Sequence, residues 1–491
     1  MSPVILRQIQ ELARQSAVYA LADSFGPLLS LALLPVLTRR LTPADYGDLA
    51  LLLLFGVATK ILFRLGLDAG FFRIYYDQPG EREKLVFSTT ILVASTTVSA
   101  LLLALTYLMS GSIALGLLGQ PRGDWIMLVA GDTFFNAFSF IPMSLFRIQG
   151  RPRFFLAATL LRNGLNVALK LGLVLAGWGV AGVLWADLAA SVVFVLTLLP
   201  TLFANLTWGF SFPMLREAAA FGLPKVPHGI AYQALNLADR RLLAAFGARE
   251  QVGLYHVAYQ FGTGIKLFLS AFELAWSPFV YSLIGRPDAA SNIARIATYV
   301  ALAFTALALA LAVLAREILA IFTAPPYRGA YEVIPVVLLA YWLQGLFSLT
   351  SVGIGISKKA YYYPLMTFSA AALNIVLNLV WIPRLGILGA AWATVAGYGL
   401  MAGMGFYFSQ RHYPMPVEWG RLGRIVVAAG ICYGLSLLTP EPLPSRLAFK
   451  AAALVFFPVA LVGLGFFRPP EMARLKAILA RQTDPAAGTR S

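Results

Sequence analysis

The sequence predicts an all-α polytopic membrane protein of about 14 transmembrane helices, built as two pseudo-symmetric six-helix lobes followed by two C-terminal helices. Three observations carry this. Runs of roughly 20 apolar residues recur along the chain, each long enough to cross a hydrocarbon core as a helix. The 491 residues are 59% hydrophobic and only 12% charged, about half the charge of an ordinary soluble domain. Two separated pieces of the second half also repeat pieces of the first at nearly one sequence offset. The apolar runs are continuous rather than alternating, which excludes a membrane β-barrel.

Residues 1–16 place Arg7, Glu11 and Arg14 among Val4, Ile5, Leu6, Ile9 and Leu12, the spacing of a short amphipathic helix lying in the interface; no cleavable signal is apparent. The N-lobe, 17–204, holds spans at about 17–37, 48–67, 85–109, 125–146, 154–176 and 180–204. The C-lobe, 217–408, holds spans at about 217–238, 252–282, 292–314, 333–356, 361–382 and 386–408. Two more follow within 424–467, then a basic tail, 468–491. The eighth span is over-long and should tilt or extend beyond the bilayer.

An even number of spans puts both termini on one side. The loops on that side collect Arg73, Arg82, Lys84, Arg147, Arg151, Arg153, Lys358, Lys359, Arg411, Arg421 and Arg424, so the termini are expected in the cytoplasm. The net charge of +16 is read the same way, and no nucleic-acid partner is expected. Cys432 lies in an apolar run and supports neither a disulfide nor a thiolate site. His228, His256 and His412 lack metal-ligand spacing, and no metal or cofactor is expected. No gap between spans has room for a soluble catalytic domain, so an enzyme is not expected.

The repeat is specific. Arg39-Arg40-Leu41 precedes Gly47 and Arg240-Arg241-Leu242 precedes Gly253; the glycines are 206 positions apart, with a few extra residues between triplet and glycine in the second copy. Gly179, Gly182, Trp185 and Ala186 recur as Gly386, Gly389, Trp392 and Ala393, 207 positions on. Asn163 and Asn166 precede the first set; Asn374 and Asn378 precede the second. Six spans per copy means both copies enter the membrane in the same direction, related by an axis along the membrane normal. A cavity is expected at their interface.

Charges inside the spans should face that cavity or one another. Helical spacing aligns Lys60 with Arg64, Arg162 with Asn166 and Lys170, and Lys266 with Ser270, Glu273 and Ser277. Asp23, Asp132 and Asp187 are acidic residues deep within N-lobe spans. The cations suit a phosphate-bearing substrate, Arg as a bidentate donor and Lys as a point charge. A purely structural account instead pairs them, Asp132 with Arg162 for instance, or lets Lys60 and Arg64 snorkel to an interface.

The stretch 217–259 is the most polar span. It carries Pro224 and Pro227 as candidates for a mobile bend, then a stripe of His228, Tyr232, Asn236 and Asp239 or Arg240, expected to face the cleft between the lobes. Asp239-Arg240-Arg241 is expected to close the helix end. The segments FGLPKVPHG (221–229) and LNLADRRLLAAFGAREQVGLYHVAYQF (235–261) resemble the start of the second lobe in polysaccharide-transporter flippases, a family of the multidrug/oligosaccharidyl-lipid/polysaccharide exporter superfamily. LPVLTRRLTPADYGDLAL (34–51) is similar to the family's first loop, and LGILGAAWATVAGYG (385–399) to its twelfth span.

That resemblance covers essentially the whole chain. It implies alternating access in the bacterial cytoplasmic membrane and translocation of a polyprenyl-pyrophosphate-linked oligosaccharide for surface polysaccharides such as lipopolysaccharide or exopolysaccharide. Polymerase and glycosyltransferase partners are expected with it. On this reading Lys60, Arg64, Arg162, Asn166, Lys170 and Lys266 bind substrate, and Asp23, Asp132 and Asp187 are the candidates for coupling to Na+ or H+. Cavity residues are not carried over from the family; they come from the stripes above. Rival readings are a multidrug cation antiporter, which favours acidic and aromatic cavity walls, an uncoupled lipid scramblase, and a polysaccharide polymerase or ligase, which needs a long external loop.

Overall fold

The computed structural model describes residues 3–283, 286–357, 359, 361–438, 442–469 and 471–472. Fourteen long helices organise them. The first six are α1 (Pro3–Arg40), α2 (Pro43–Arg64), α3 (Glu81–Leu118), α4 (Gly123–Ile148), α5 (Pro152–Leu175) and α6 (Gly179–Phe203). The next four are α7 (Lys225–Phe246), α8 (Arg249–Leu283), α9 (Ala289–Val313) and α10 (Ile334–Thr350, continued by Val352–Ile356). α11 and α12 are the two arms of Tyr362–His412, which breaks at Gly386. α13 (Trp419–Leu437) and α14 (Leu443–Gly463) complete the set. Nine helices among the described residues are long and apolar enough to cross a membrane, counting Tyr362–His412 once. α7 and α8 are not among them, because the polar and charged residues they carry lower their hydropathy.

Local chemistry sets the boundaries. α2 opens with a capping box: the Asp45 backbone N–H donates to Thr42 Oγ1 at 3.2 Å, and the Thr42 N–H donates to Asp45 Oδ2 at 2.8 Å. Pro43 follows the cap, where its missing N–H costs nothing. The seventh span differs from the expected 217–238. A short helix, Phe212–Gly222, ends before Pro224, and α7 then runs on past Asp239-Arg240-Arg241. Hydropathy averages across the Pro224 break and counts the charged triplet as a helix end, whereas Asp239 and Arg240 lie inside α7, 0% and 3% exposed. At the other end of the chain α1 runs unbroken from Pro3, so the stretch expected to lie in the interface is continuous in backbone with the first span. The side chains of 1–17 and the tail beyond 472 lie outside the described residues.

The duplication is visible in the backbone. Gly179 and Gly386, at the starts of α6 and α12, both have φ of 56°, a region glycine alone enters without strain. At Gly386 ψ is −131°, farther still from what an L side chain adopts. Gly386→Ala should therefore destabilise the fold by about 1–3 kcal/mol, read as a lowered melting temperature of the purified protein. A melting temperature equal to wild type would show that this break is not strained.

The lobes meet across α2 and α8. A Cβ on Gly47 would lie 2.2 Å from the Arg249 carbonyl oxygen, and a Cβ on Gly253 would lie 1.9 Å from that of Pro43. Each glycine thus touches the counterpart of the residue its own partner touches, the reciprocal contact that an approximate twofold axis demands. This seam lies on the face opposite the N-terminus. Around it, Tyr327 Oη donates to the Leu41 carbonyl at 2.8 Å and Arg249 pairs with Asp48 at 3.4 Å.

α13 and α14 are fastened to the C-lobe at both faces. Glu317, after α9, holds Arg446 at 3.0 Å and Lys450 at 2.7 Å at the start of α14. On the amino-terminal face Arg421 pairs with Glu418 and Glu471, each at 3.1 Å, and donates to Tyr299 Oη. Burial pushes the Glu471 carboxyl up. The Arg468 backbone N–H, the Tyr299 hydroxyl and the Arg421 and Arg468 charges outweigh it and hold the group below its ordinary value.

Candidate functional site: a charged chamber on the N-lobe

A central chamber of about 420 Å³ opens on the inner face of the N-lobe. α2 supplies Lys60, α4 supplies Asp132 and Asn136, α5 supplies Arg162 and Lys170, and α6 supplies Asp187. His256 and Gln260 of α8 form its C-lobe wall. A second chamber of about 430 Å³ adjoins it, sharing Ser30, Leu33, Lys170 and Gln260 and adding Asn166 and Lys266.

The two acids are engaged. Asp132 accepts from Ser191 Oγ and, at 2.9 Å, from Asn136 Nδ2. Asp187 accepts from Asn166 Nδ2 at 2.7 Å and pairs with Lys170 at 2.8 Å. Arg162 is not paired with Asp132; its guanidinium lies 5.4 Å from the Phe194 ring centre. Lys60, Arg162 and Lys266 have no carboxylate within 4.0 Å among the described residues, and Lys60 and Lys266 are exposed to these chambers. An uncompensated cation at membrane depth is expensive unless it meets water or an anion, and three of them converge here. The arrangement can hold a multiply charged anion by point charges and a bidentate guanidinium.

Other residues named from sequence lie elsewhere. Arg64 sits one helical turn beyond Lys60 but faces away from the central chamber. It reaches Asp68 at 3.5 Å and donates to the Asn136 carbonyl at 3.2 Å. The α7 stripe does not line the chambers. Asn236 accepts from Tyr398 Oη at 2.7 Å, Asp239 accepts from Tyr255 Oη, and Arg240 pairs with Asp239 at 3.1 Å and lies over the Tyr259 ring. These contacts close a polar core among α7, α8 and α12, so the stripe satisfies itself inside the C-lobe rather than facing the cleft. His228 is half-buried on α7, with Nδ1 lacking a hydrogen-bond partner. Pro224 and Pro227 occupy the start of α7, where proline initiates a helix. The Asp23 side chain lies outside the described residues.

The lobes are chemically unequal at matching places. Asn166 meets Asp187 between α5 and α6 in the N-lobe. Between α11 and α12, Asn374 donates to Thr394 Oγ1 at 3.3 Å and accepts from Asn378 Nδ2 at 2.9 Å, all fully buried. Asp187 and Thr394 are 207 positions apart, the offset of the repeat. The second copy has a hydroxyl where the first has a carboxylate, and so no charge there. Sequence reasoning missed Gln260 and Thr263, which complete the second chamber. Their signal was the i, i+3 spacing that continues through Lys266 on one face of α8.

Two related six-helix lobes with an ionised chamber at their seam form a fold shared with solved multi-pass transporters. Residues 36–273 match the family model described as "Polysaccharide biosynthesis protein". Among solved structures, the lipid II flippase MurJ in an inward closed conformation is 12% identical, with a TM-score of 0.75 over 91% of this chain and 99% of that one. An inward-facing multidrug-resistance MATE transporter is 17% identical, with a TM-score of 0.63 over 81% and 94%. An outward-facing MATE transporter is 17% identical, with a TM-score of 0.58 over 82% and 94%. No curated protein matches the chain in sequence.

Proposed function

We propose that the chain is a flippase that moves a polyprenyl-pyrophosphate-linked oligosaccharide across the bacterial cytoplasmic membrane by alternating access, in surface polysaccharide synthesis, with both termini cytoplasmic. The supporting observation is the set of cations without acidic partners, Lys60, Arg162 and Lys266, in two joined chambers at membrane depth. A pyrophosphate supplies the charge those groups lack, while the prenyl tail stays in lipid. The family model's description and the likeness to a lipid II flippase support the same direction. Asp132 and Asp187, each hydrogen-bonded within reach of a cation, are the groups we assign to Na+ or H+ coupling. Polymerase and glycosyltransferases of the same route are the partners this reading implies.

The test is reconstitution of the full chain in vesicles carrying a polyprenyl-pyrophosphate oligosaccharide on one leaflet, with sugar accessibility read over time. Charge-assisted hydrogen bonds contribute about 1.5–3 kcal/mol each. Lys60→Gln and Arg162→Gln should therefore each slow translocation roughly 10- to 100-fold. Unchanged translocation in the double variant would remove the chamber from the mechanism. Export of an organic cation with no movement of the lipid-linked sugar would favour drug antiport instead.

A further inference from the structure

The structure holds a second cationic cavity that this reading does not use. It measures about 720 Å³ and lies on the face that carries the chain's N-terminus, where the end of α2, the short helix Leu67–Ile74, the end of α4 and the start of α7 come together. Arg64, Arg73, Arg147 and Lys225 line it, with Asp68 the acid among its described lining residues. Arg73 reaches Asp77 at 2.6 Å, Arg147 lies 4.5 Å from the Phe155 ring centre, and Lys225 Nζ lies 3.9 Å from that of Phe221. Arg64, through its bond to the Asn136 carbonyl, stands in the wall between this cavity and the central chamber.

Phe72, Tyr76 and Phe221 line this cavity and are 43%, 59% and 37% exposed. Aromatic rings beside cations at helix ends are the composition of a membrane–water boundary. Basic pockets between helices at that depth take lipid headgroups. The backbone beside the cavity is closely packed. A Cβ on Gly66 would lie 2.3 Å from the Gly222 carbonyl oxygen, and one on Gly70 would lie 2.4 Å from that of Ala218. The N-lobe and the helix leading into the C-lobe are therefore in backbone contact next to the cavity, and an occupant would touch Arg64 and Arg147 of one lobe and Lys225 of the other.

We propose that this α2–α7 edge cavity binds the phosphate ester of an anionic membrane lipid, bridging the two lobes at the amino-terminal face. Arg147 and Lys225 bring positive charge to a phosphate from the two lobes, Arg64, held by Asp68 and the Asn136 carbonyl, adds charge from the wall, and the exposed rings flank the lipid's glycerol or isoprenoid portion. The site is separate from the transport chamber and does not depend on what that chamber carries. Phosphatidylglycerol and polyprenyl phosphate present the same group and are distinguished by direct comparison.

The test uses the full-length protein in neutral phosphatidylcholine nanodiscs, titrated with fluorescent phosphatidylglycerol, with polyprenyl phosphate, and with inorganic phosphate as competitor. Wild type should prefer phosphatidylglycerol or polyprenyl phosphate over phosphatidylcholine at least tenfold, and the tighter of the two names the source. Lys225→Gln and Arg147→Gln should each lower that preference at least fivefold, and Lys225→Arg should retain it. Arg153→Gln, an exposed cation on the same face outside the cavity, should leave it unchanged. An equal loss in Arg153→Gln, no loss in the Lys225→Gln/Arg147→Gln double variant, or binding of inorganic phosphate alone would overturn the proposal. Both single changes are at exposed positions, and a melting temperature matching wild type separates loss of binding from loss of fold.

Discussion

Gly253→Leu should keep the two lobes from closing on the face opposite the N-terminus and stop transport. Even a single Cβ at this position would lie 1.9 Å from the Pro43 carbonyl oxygen. Reaching ordinary van der Waals contact requires roughly 1.5 Å more separation between α2 and α8, and leucine adds a branched chain in the same direction. The obstacle is backbone, so no side-chain rotation relieves it. The surrounding contacts, Asp48 with Arg249 and Tyr327 with the Leu41 carbonyl, depend on the same approach and should loosen together. Spin labels at Ala44→Cys and Glu250→Cys, in a Cys432→Ala background, should report one short distance in the parent and a distribution several ångströms longer in Gly253→Leu. Translocation should fall by more than tenfold. Gly47→Leu should reproduce both effects, because the contact is reciprocal. Ala248→Leu, an exposed position nearby, should produce neither. A Gly253→Leu protein with parental distances and parental transport would show that the seam does not need this contact.

The reciprocal contact is also where sequence and structure agree most directly. Gly47 and Gly253 stood out only as members of a repeat at an offset of 206, and the repeat is a statement about symmetry. A twofold axis must bring some equivalent residues face to face, and glycine is the residue that lets backbones approach. Gly179 and Gly386 belong to the same logic: their shared φ of 56° is a local demand that any copy of the unit has to meet. Both signals survive because backbone geometry tolerates few residue types.

The side-chain stripes were less legible, for an equally physical reason. Helical spacing says which residues share a face, but not what that face meets. Lys60 and Arg64 share one, yet Arg64 is a full turn nearer the helix end and passes to the other side of the Asn136 wall. The α7 stripe had the spacing of a cavity wall, but Tyr255 of α8 and Tyr398 of α12 bond Asp239 and Asn236 inside the C-lobe, and Gln344 of α10 bonds Tyr232. Those tyrosines read as ordinary aromatic content of apolar spans. Lys225, Arg73 and Arg147 were hidden differently. Basic residues gathered at helix ends on one face are what the positive-inside bias produces anyway, so only their convergence in space sets them apart.

Asp239→Ala should be among the most destabilising single changes in the C-lobe. Asp239 is 0% exposed and Arg240 3%. The guanidinium reaches Asp239 at 3.1 Å and the Asn236 carbonyl at 2.7 Å, and the second Asp239 oxygen accepts from Tyr255 Oη. Removing the carboxylate leaves a buried cation without its counter-charge and a buried tyrosine hydroxyl without its acceptor. Breaking a buried pair from one side costs about 3–5 kcal/mol, a large share of the stability of a folded domain. The purified variant should melt several degrees lower and lose its detergent half-life. Asp239→Asn should fall between it and wild type, because the amide oxygen still accepts from Tyr255 while the charge is gone. The double change Asp239→Leu/Arg240→Met removes both charges and should recover most of the loss, since two well-packed apolar groups do not carry the desolvation cost of an ion pair. If the double variant regains stability and translocates at the parental rate, the pair is structural and the transport charges lie in the N-lobe chambers. An Asp239→Ala protein that melts with wild type would mean Arg240 finds another anion or water on a path the buried network does not contain.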